Sequence, residues 1–455
     1  MHRGLSRHNN RSAGGAAFSP LSLFADGSQG AWYDNSNMST LFQDSAGTTP
    51  AVLESPVGKQ LDLSGRGNHR SQATSANRPL LSARYNLLTK TEQFDNAAWG
   101  KVGATVTANA TTAPDNTNTA NLLTEDSTNN VHVITQTQNA SASVSYTTIA
   151  YFKRATGTRN AYIQVNNNTT GVGGASFAWF DLSSGVASAV SDLVAGFTSK
   201  SASMVLVANN FYKCTLVLTT VPATTTLGIN YGIYNAARSY LGDGTSGIYA
   251  WGADCRPTDQ TVTLPAYQRV DTSTVYDTVG FPQYLKYNGS TQSLSTASVD
   301  FTATAQMSVF AGVRKLSTSV GVVVELSAIY SSYNGTFYIA APNSSLDFGA
   351  GSKGTIAAGS GTVAFNPPTT KTLQMLSDIP APLLAMYVNN SSVFSLNSTQ
   401  GSGNYGNYPL YFGMRGGASF PFNGQEYQMI IVGKTLSAAQ ITSTETFVNN
   451  RTKAY

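Results

Sequence analysis

The sequence predicts an all-β protein made of two antiparallel β-sandwiches, with a short C-terminal helix and an extended N-terminal arm. Three observations predict it. Apolar residues recur at period two in short stretches bounded by Gly, Asn and Ser clusters, as half-buried strands require. Charged residues are only 11% of the chain, against about 25% in an ordinary soluble domain, and Thr, Ser, Asn and Gly supply the polarity instead, which suits sheet surfaces and turns. One segment alone carries the start signals of a helix. A length of 455 residues allows roughly two to four domains.

Residues 1–19 form a basic arm in which Arg3, Arg7 and Arg11 stand among Ser, Asn and Gly. It has almost nothing apolar to bury, so it is expected to take its order from a partner and is read as an attachment segment. Residues 20–85 read as turns and short extended pieces, notably 31–34, 39–42 and 61–69, with no helical period. Residues 86–272 show clearer alternation at 147–153, 161–166, 211–219 and 247–252, which predicts an antiparallel sandwich. Residues 273–455 repeat that grammar, with Met307, Val309, Ala311 and Val313 on one strand face and Tyr427, Met429 and Ile431 on another. The helix follows. Ser437-Ala438-Ala439-Gln440 is a capping box, Leu436 can staple onto Ile441, and Phe447 and Val448 extend the apolar stripe that would dock on the second sandwich. No signal-like apolar stretch follows Met1 and no apolar run reaches about 18 residues, so the expectation is synthesis in a cytosol without membrane insertion.

Two segments resemble a bacteriophage virion and tail protein family: Trp32-Tyr33-Asp34 through Leu41-Phe42-Gln43-Asp44-Ser45-Ala46-Gly47-Thr48-Thr49-Pro50, and Leu61-Asp62-Leu63-Ser64-Gly65-Arg66-Gly67-Asn68-His69 through Arg78-Pro79. The middle resembles the carbohydrate-binding-module-like sandwiches of phage structural proteins, through Asn86-Leu87-Leu88, Phe94-Asp95-Asn96-Ala97-Ala98-Trp99, Phe211-Tyr212-Lys213-Cys214 and Tyr249-Ala250-Trp251-Gly252-Ala253. It departs from them in having Asp254-Cys255-Arg256 where Gln-Leu-Glu is frequent. The last third resembles a concanavalin A-like, laminin-G-like jelly roll through Leu285-Lys286-Tyr287-Asn288-Gly289, Leu410-Tyr411-Phe412-Gly413, Phe422-Asn423-Gly424 and the closing helix. In laminin-G-like domains the Asp-x-Ser-Gly-x-Gly-Asn-His segment lies shortly before the strand that here begins at Leu285. The two are more than two hundred residues apart in this chain, so the middle sandwich is expected to be an insertion into a jelly roll begun by residues 20–85.

Catalytic chemistry has little to draw on. Glycoside hydrolysis needs two carboxylates flanking one bond, and the Glu-x-Asp-x-x-Glu strand of jelly-roll glucanases is missing. Glu92 with Asp95, Glu125 with Asp126, and the lone Glu325 and Glu426 place no two acids at i and i+2. The histidines are His2, His8, His69 and His132, two of them in the arm and His69 in a structural turn, while Cys214 and Cys255 read as buried thiols. No enzyme is expected. Asp243, Asp254, Asp259, Asp271 and Asp277 are scattered where a structural calcium ion could support loops, but they lack calcium-loop spacing, so ordinary Asp turns are favoured and no cofactor is expected. A net charge of +4, spread thinly over 27 basic and 23 acidic residues, gives no nucleic-acid stripe.

Sugar recognition is better supplied, because a pyranose face stacks on aromatic rings while polar neighbours take its hydroxyls. The candidate contacts are Tyr330, Tyr333, Phe337 and Tyr338 around Asn334-Gly335, and Tyr405, Tyr408 and Tyr411; Trp99, Trp179 and Trp251 are read as core. The resemblances imply a non-enzymatic virion protein of the tail or capsid surface, homo-oligomeric, that binds a host glycan as an adhesin. The alternative is a decoration or brace contacting other virion proteins, with a polysaccharide depolymerase the less favoured third.

Overall fold

The computed structural model describes residues 18–341, 347–356 and 362–455, so Arg3, Arg7 and Arg11 of the arm lie outside the described residues. Four large antiparallel sheets stack as two sandwiches, as the alternation predicts.

The outer sandwich joins both ends of the chain. Its back sheet is centred on the strand Asn423–Val432, flanked on one side by Gln306–Lys315 and on the other by Tyr284–Asn288 and Gly30–Asp34. Its front sheet runs from the short strands Leu41–Phe42, Lys59–Gln60 and Arg70–Ser71 through Leu294–Asp300, Asn407–Phe412, Val322–Leu326, Thr336–Ala340 and Asp347–Lys353 to Thr362–Ala364. The chain leaves the back sheet at Leu80–Ser82 and returns to it at Tyr284–Asn288, and these strands are hydrogen-bonded neighbours, with Tyr284 opposite Ser82. Between them, the strands of residues 100–257 pair only with one another, in a six-stranded and an eight-stranded sheet that enclose a separate apolar core.

Alternation places Met307, Val309, Ala311, Val313, Met429 and Ile431 in the core of the outer sandwich, but Tyr427 does not join them. A bulge is the reason. Opposite Gly312 and Val313, the register of Asn423–Val432 passes from Gln428 to Glu426, leaving Tyr427 as the extra residue. The pleat phase flips there: Tyr427 turns to a small aromatic cluster at the junction of the sandwiches, and Glu426 turns inward.

Inside, Glu426 meets Arg70. Arg70 is 0% and Glu426 1% exposed, and they form a two-pronged ion pair at 2.6 and 3.0 Å. Gln60 Oε1 accepts two further guanidinium hydrogen bonds, Gln60 donates to Asn35, and Asn35 donates to the Glu426 carbonyl. The guanidinium lies between the rings of Tyr33 and Phe412, 4.4 and 4.6 Å from their centroids. The glycine-rich turn at 62–69 delivers Arg70 to this place: Asp62 accepts from the backbone of Trp32, Ser64 and Asn68, while its own N–H donates to His69 Nδ1. His69 therefore has a structural role.

The junction is tightly tied. Gln268 is fully buried; its carbonyl oxygen accepts from the Tyr85 and Asn86 amides at 2.7 and 2.9 Å, and its amide donates to the Ala83 and Asp277 carbonyls, both at 2.8 Å. Tyr85, Leu264, Phe281, Tyr284 and Tyr427 pack together as an apolar cluster at this junction. A short helix α1, Thr258–Thr263, presents Asp259 to Arg314 of the back sheet, and both Arg314 Nη atoms donate to that carboxylate. The sequence did not announce α1, which has no side-chain cap and a β-prone composition. The closing helix α2, Ala438–Thr452, carries the capping box of Ser437 and Gln440, and Leu436, Ile441, Phe447 and Val448 pack with Phe310, Ile430 and Trp32 on the outer face of the back sheet. Among the described residues, no helix is long and apolar enough to cross a membrane.

Candidate functional site

The two tyrosine clusters meet at the front sheet of the outer sandwich. Glu325 stands opposite Tyr338 on one side and Tyr411 on the other, all on the face away from the core. Tyr330 packs edge-on against Tyr338 at 4.7 Å and Tyr333 against Tyr408 at 5.3 Å. Arg415 donates to Glu325 at 2.8 Å and lies 4.8 Å from the Phe420 ring centroid, and the Tyr330 amide also donates to Glu325 at 2.6 Å. Burial pushes the Glu325 carboxyl above its ordinary range, and Arg415 opposes the shift.

Only part of the predicted set faces solvent. Tyr333 is 41% exposed, and Tyr330, Tyr408 and Tyr411 are half-buried. Phe337 and Tyr405 are core residues: Phe337 takes an inward position on its strand, and Tyr405, in the loop before Asn407–Phe412, shares a 2.7 Å hydrogen bond with buried Ser352. Tyr338 is buried beneath Tyr330. These three brace the patch and do not offer a contact surface.

A more ordered surface lies on the eight-stranded sheet of the middle sandwich. Ala178, Phe180, Ile163, Val165, Ile229 and Tyr231 fill the core, so the alternate residues Phe177, Trp179, Tyr162, Gln164, Asn230 and Tyr234 point outward. Trp179 and Tyr234 stack with ring centroids 5.3 Å apart and planes 1° apart. Gly232 makes room for Tyr162 beside them: a Cβ there would sit 2.2 Å from the Tyr162 ring, which lies across it. Arg238 stands over Phe177 at 5.1 Å and donates to Gln164 Oε1 at 2.6 Å, and Gln164 donates to Asn166 at 2.6 Å. An aromatic pair and, beyond Tyr162, a hydrogen-bonded row of guanidinium and amide groups thus share one sheet face, the kinds of group that stack a sugar face and pair its hydroxyls.

Trp179 is therefore half-exposed and not core. Its signal was present in the sequence, as Phe177 and Trp179 at i and i+2 opposite the small Ala178, with a glycine inside the neighbouring strand marking close approach. Trp99 is core, packed on Phe94 and Tyr231. Trp251 is buried in a satellite cluster on the outer face of the six-stranded sheet, where its indole donates to Thr119 at 2.9 Å.

Glu92 borders that satellite cluster. Burial, aided by the nearby Asp115 charge, pushes its carboxyl up to about 7. The folded protein then holds a proton that the unfolded chain releases near pH 4.5, so stability falls as pH rises from about 4.5 to 7 and levels off above it. After discounting for partial solvent screening, the expected loss is about 1–2 kcal/mol. Denaturation midpoints measured at pH 4.5, 6 and 7.5 should show this slope, and Glu92→Gln should flatten it; an unchanged slope in the variant rejects the assignment.

The remaining candidate groups are engaged within the fold. Asp243 caps Thr245 and Ser246 and pairs with Arg159, Asp254 pairs with Arg256, Asp271 with Lys90, and Asp277 with Arg269. Among the described residues no three His, Cys, Asp or Glu side chains gather as metal ligands. Cys214 and Cys255 are buried and unlinked, and burial raises both thiols.

No family model and no curated protein matches the chain. Solved structures similar to parts of it include the carbohydrate-binding module CBM40 of the Ruminococcus gnavus IT-sialidase bound to alpha2,3 sialyllactose, at 12% identity over 33% of this chain and 97% of that one, with a TM-score of 0.27. A heptameric SAP-like pentraxin from Limulus polyphemus aligns at 11% identity over 34% and 78%, with a TM-score of 0.29. A botulinum neurotoxin type C structure, described as depending on two ganglioside molecules for cell entry, aligns at 10% identity over 37% and 43%, also with a TM-score of 0.29. Each is a local likeness over about a third of the chain.

Proposed function

We propose that this chain is a non-enzymatic glycan-binding protein, carried on a bacteriophage particle as a host adhesin. The observation that carries the binding reading is the stacked Trp179–Tyr234 pair beside the Arg238–Gln164–Asn166 row. Both residues are half-buried, so part of each remains open to solvent while the rings stack on one another. The virion placement rests on the sequence resemblance of residues 32–50 and 61–79. Homo-oligomeric display suits such a site, because several weak contacts combine into strong attachment.

Screening the full chain against bacterial surface oligosaccharides should identify bound sugars. Trp179→Ala should weaken binding by at least about tenfold, while Tyr411→Ala on the front sheet leaves it unchanged. Parent-like binding by Trp179→Ala, or no binding to any sugar, overturns the reading. New reducing ends after prolonged incubation would instead support a depolymerase.

The brace reading has its own observation. Val186, Leu193, Val194, Val205 and Leu206, each 41–58% exposed, lie on strands 186–187, 191–194 and 198–206 at the edges of the two sheets of the middle sandwich. A stable complex with another virion protein that Val205→Glu dissolves would favour it.

A further inference from the structure

A sheet edge leaves a row of backbone N–H and carbonyl groups unpaired, and natural sheets blunt such rows with bulges, prolines, lysines or very short strands. The edge strand Ala104–Thr111 is broken by an irregularity between Thr107 and Thr111, and Ser391–Leu396 is broken opposite Met386 and Tyr387. Thr198–Leu206 differs from both. It is the outermost strand of the six-stranded sheet, and after a shift between Thr198 and Ser201 it pairs residue for residue with Tyr212–Thr219 as far as Leu206. Residues 201–206 include no proline and no charged side chain, and Val205 and Leu206 are each 58% exposed.

The register says which backbone groups are free. The Val207 N–H donates to the Phe211 carbonyl at 2.7 Å, and antiparallel bonding alternates, so Val205 and Ser203 also turn their backbone groups toward the neighbouring strand. Ala202, Met204 and Leu206 turn theirs outward, and among the described residues no protein group bonds them. The edge of the eight-stranded sheet lies alongside, since Val186–Ala187 contacts Thr198–Leu206 and Asp192 pairs with Lys200. Exposed Val186, Leu193 and Val194 therefore stand on the same side of the sandwich as this strand.

We propose that Thr198–Leu206 pairs antiparallel with the same strand of a second copy of this chain, joining two six-stranded sheets across a two-fold axis. The occupant is a second copy because the edge is complementary to itself. An axis through Met204 sets Met204 opposite Met204 and Ala202 opposite Leu206, so every outward N–H and carbonyl finds its counterpart, with about six hydrogen bonds in all. Ser203 comes opposite Val205, and no like charges meet. The pairing does not depend on sugar binding.

Sedimentation equilibrium of the full chain should show a dimer forming across the micromolar range. Leu206→Pro removes an N–H that has no partner within the chain, so the monomer keeps its fold while pairing weakens at least about tenfold. Val205→Lys, at an exposed position, should weaken it about tenfold as well and keeps the test valid if the proline variant fails to fold. The register has its own check. Chains carrying Ser203→Cys, mixed with chains carrying Val205→Cys and oxidised, should form a disulfide-linked dimer, because a non-hydrogen-bonded pair holds its Cα atoms about 4.5 Å apart. Either variant alone should not, and buried Cys214 and Cys255 do not compete. A parent chain that stays monomeric, a folded Leu206→Pro or Val205→Lys chain that dimerises like the parent, or a mixture that links no better than each variant alone overturns the proposal. A monomer that binds another virion protein through Val205 overturns it too and leaves the brace reading standing. A dimer that binds no sugar upholds it while the adhesin reading falls.

Discussion

Glu426→Gln should lower the stability of the outer sandwich by about 3–5 kcal/mol, the usual effect of removing one partner of a buried ion pair. The fully buried Arg70 guanidinium would keep its charge and lose the carboxylate that answers two of its hydrogen bonds. Tyr33, Phe412 and Gln60 cannot replace it, since two are apolar surfaces and the amide already bonds two guanidinium nitrogens. Urea denaturation followed by circular dichroism gives the number. The double variant Arg70→Met with Glu426→Leu should recover most of the loss, because it removes both charges together. A single variant within about 1 kcal/mol of the parent would show that water reaches the pair.

Gln268→Leu should cost about 3 kcal/mol and uncouple the two sandwiches. The substitution strands the Tyr85 and Asn86 amides and the Ala83 and Asp277 carbonyls, each buried group costing about 1–3 kcal/mol if unmet and less where the linker relaxes. Calorimetry should resolve two unfolding transitions in place of a single coupled one. One undivided transition at the parent temperature would mean that the Tyr85–Tyr284–Tyr427 cluster and the Arg314–Asp259 pair hold the junction without Gln268.

Period-two alternation was enough to read the sheet-rich architecture and the facing of Met307 to Val313, and the capping box was enough to place α2. One inward-facing position is hidden by a local departure from regular pleating. The bulge at Tyr427 reverses which residues face inward, and no residue type announces it. The Arg70–Glu426 pair joins residues 356 apart in sequence, and each alone looks like an ordinary surface charge. Trp179 was assigned inward because large apolar side chains usually are, yet the inward place on its strand is taken by Ala178 and Phe180. Phe337 shows the converse, since an aromatic residue near an Asn-Gly turn suggests a loop tip while its strand phase turns it into the core, and Tyr405 is buried although it lies in a loop.

The hydrogen bonding of Leu80–Ser82 to Tyr284–Asn288, together with that of Gly30–Asp34 to Asn423–Val432, sets an order of assembly during synthesis. The strands Gly30–Asp34 and Leu80–Ser82 emerge from the ribosome with unpaired edges and wait for partners made about two hundred to four hundred residues later. Closing so long a loop in an unstructured chain is entropically costly and slow. The middle sandwich needs nothing from outside residues 100–257 for its strand pairing, so it can fold first and draw its two stems together. That early step turns the gap between Ser82 and Tyr284 into a short span. The intervening sandwich thus serves as a clasp that prepares the outer one to close once the last strand is made.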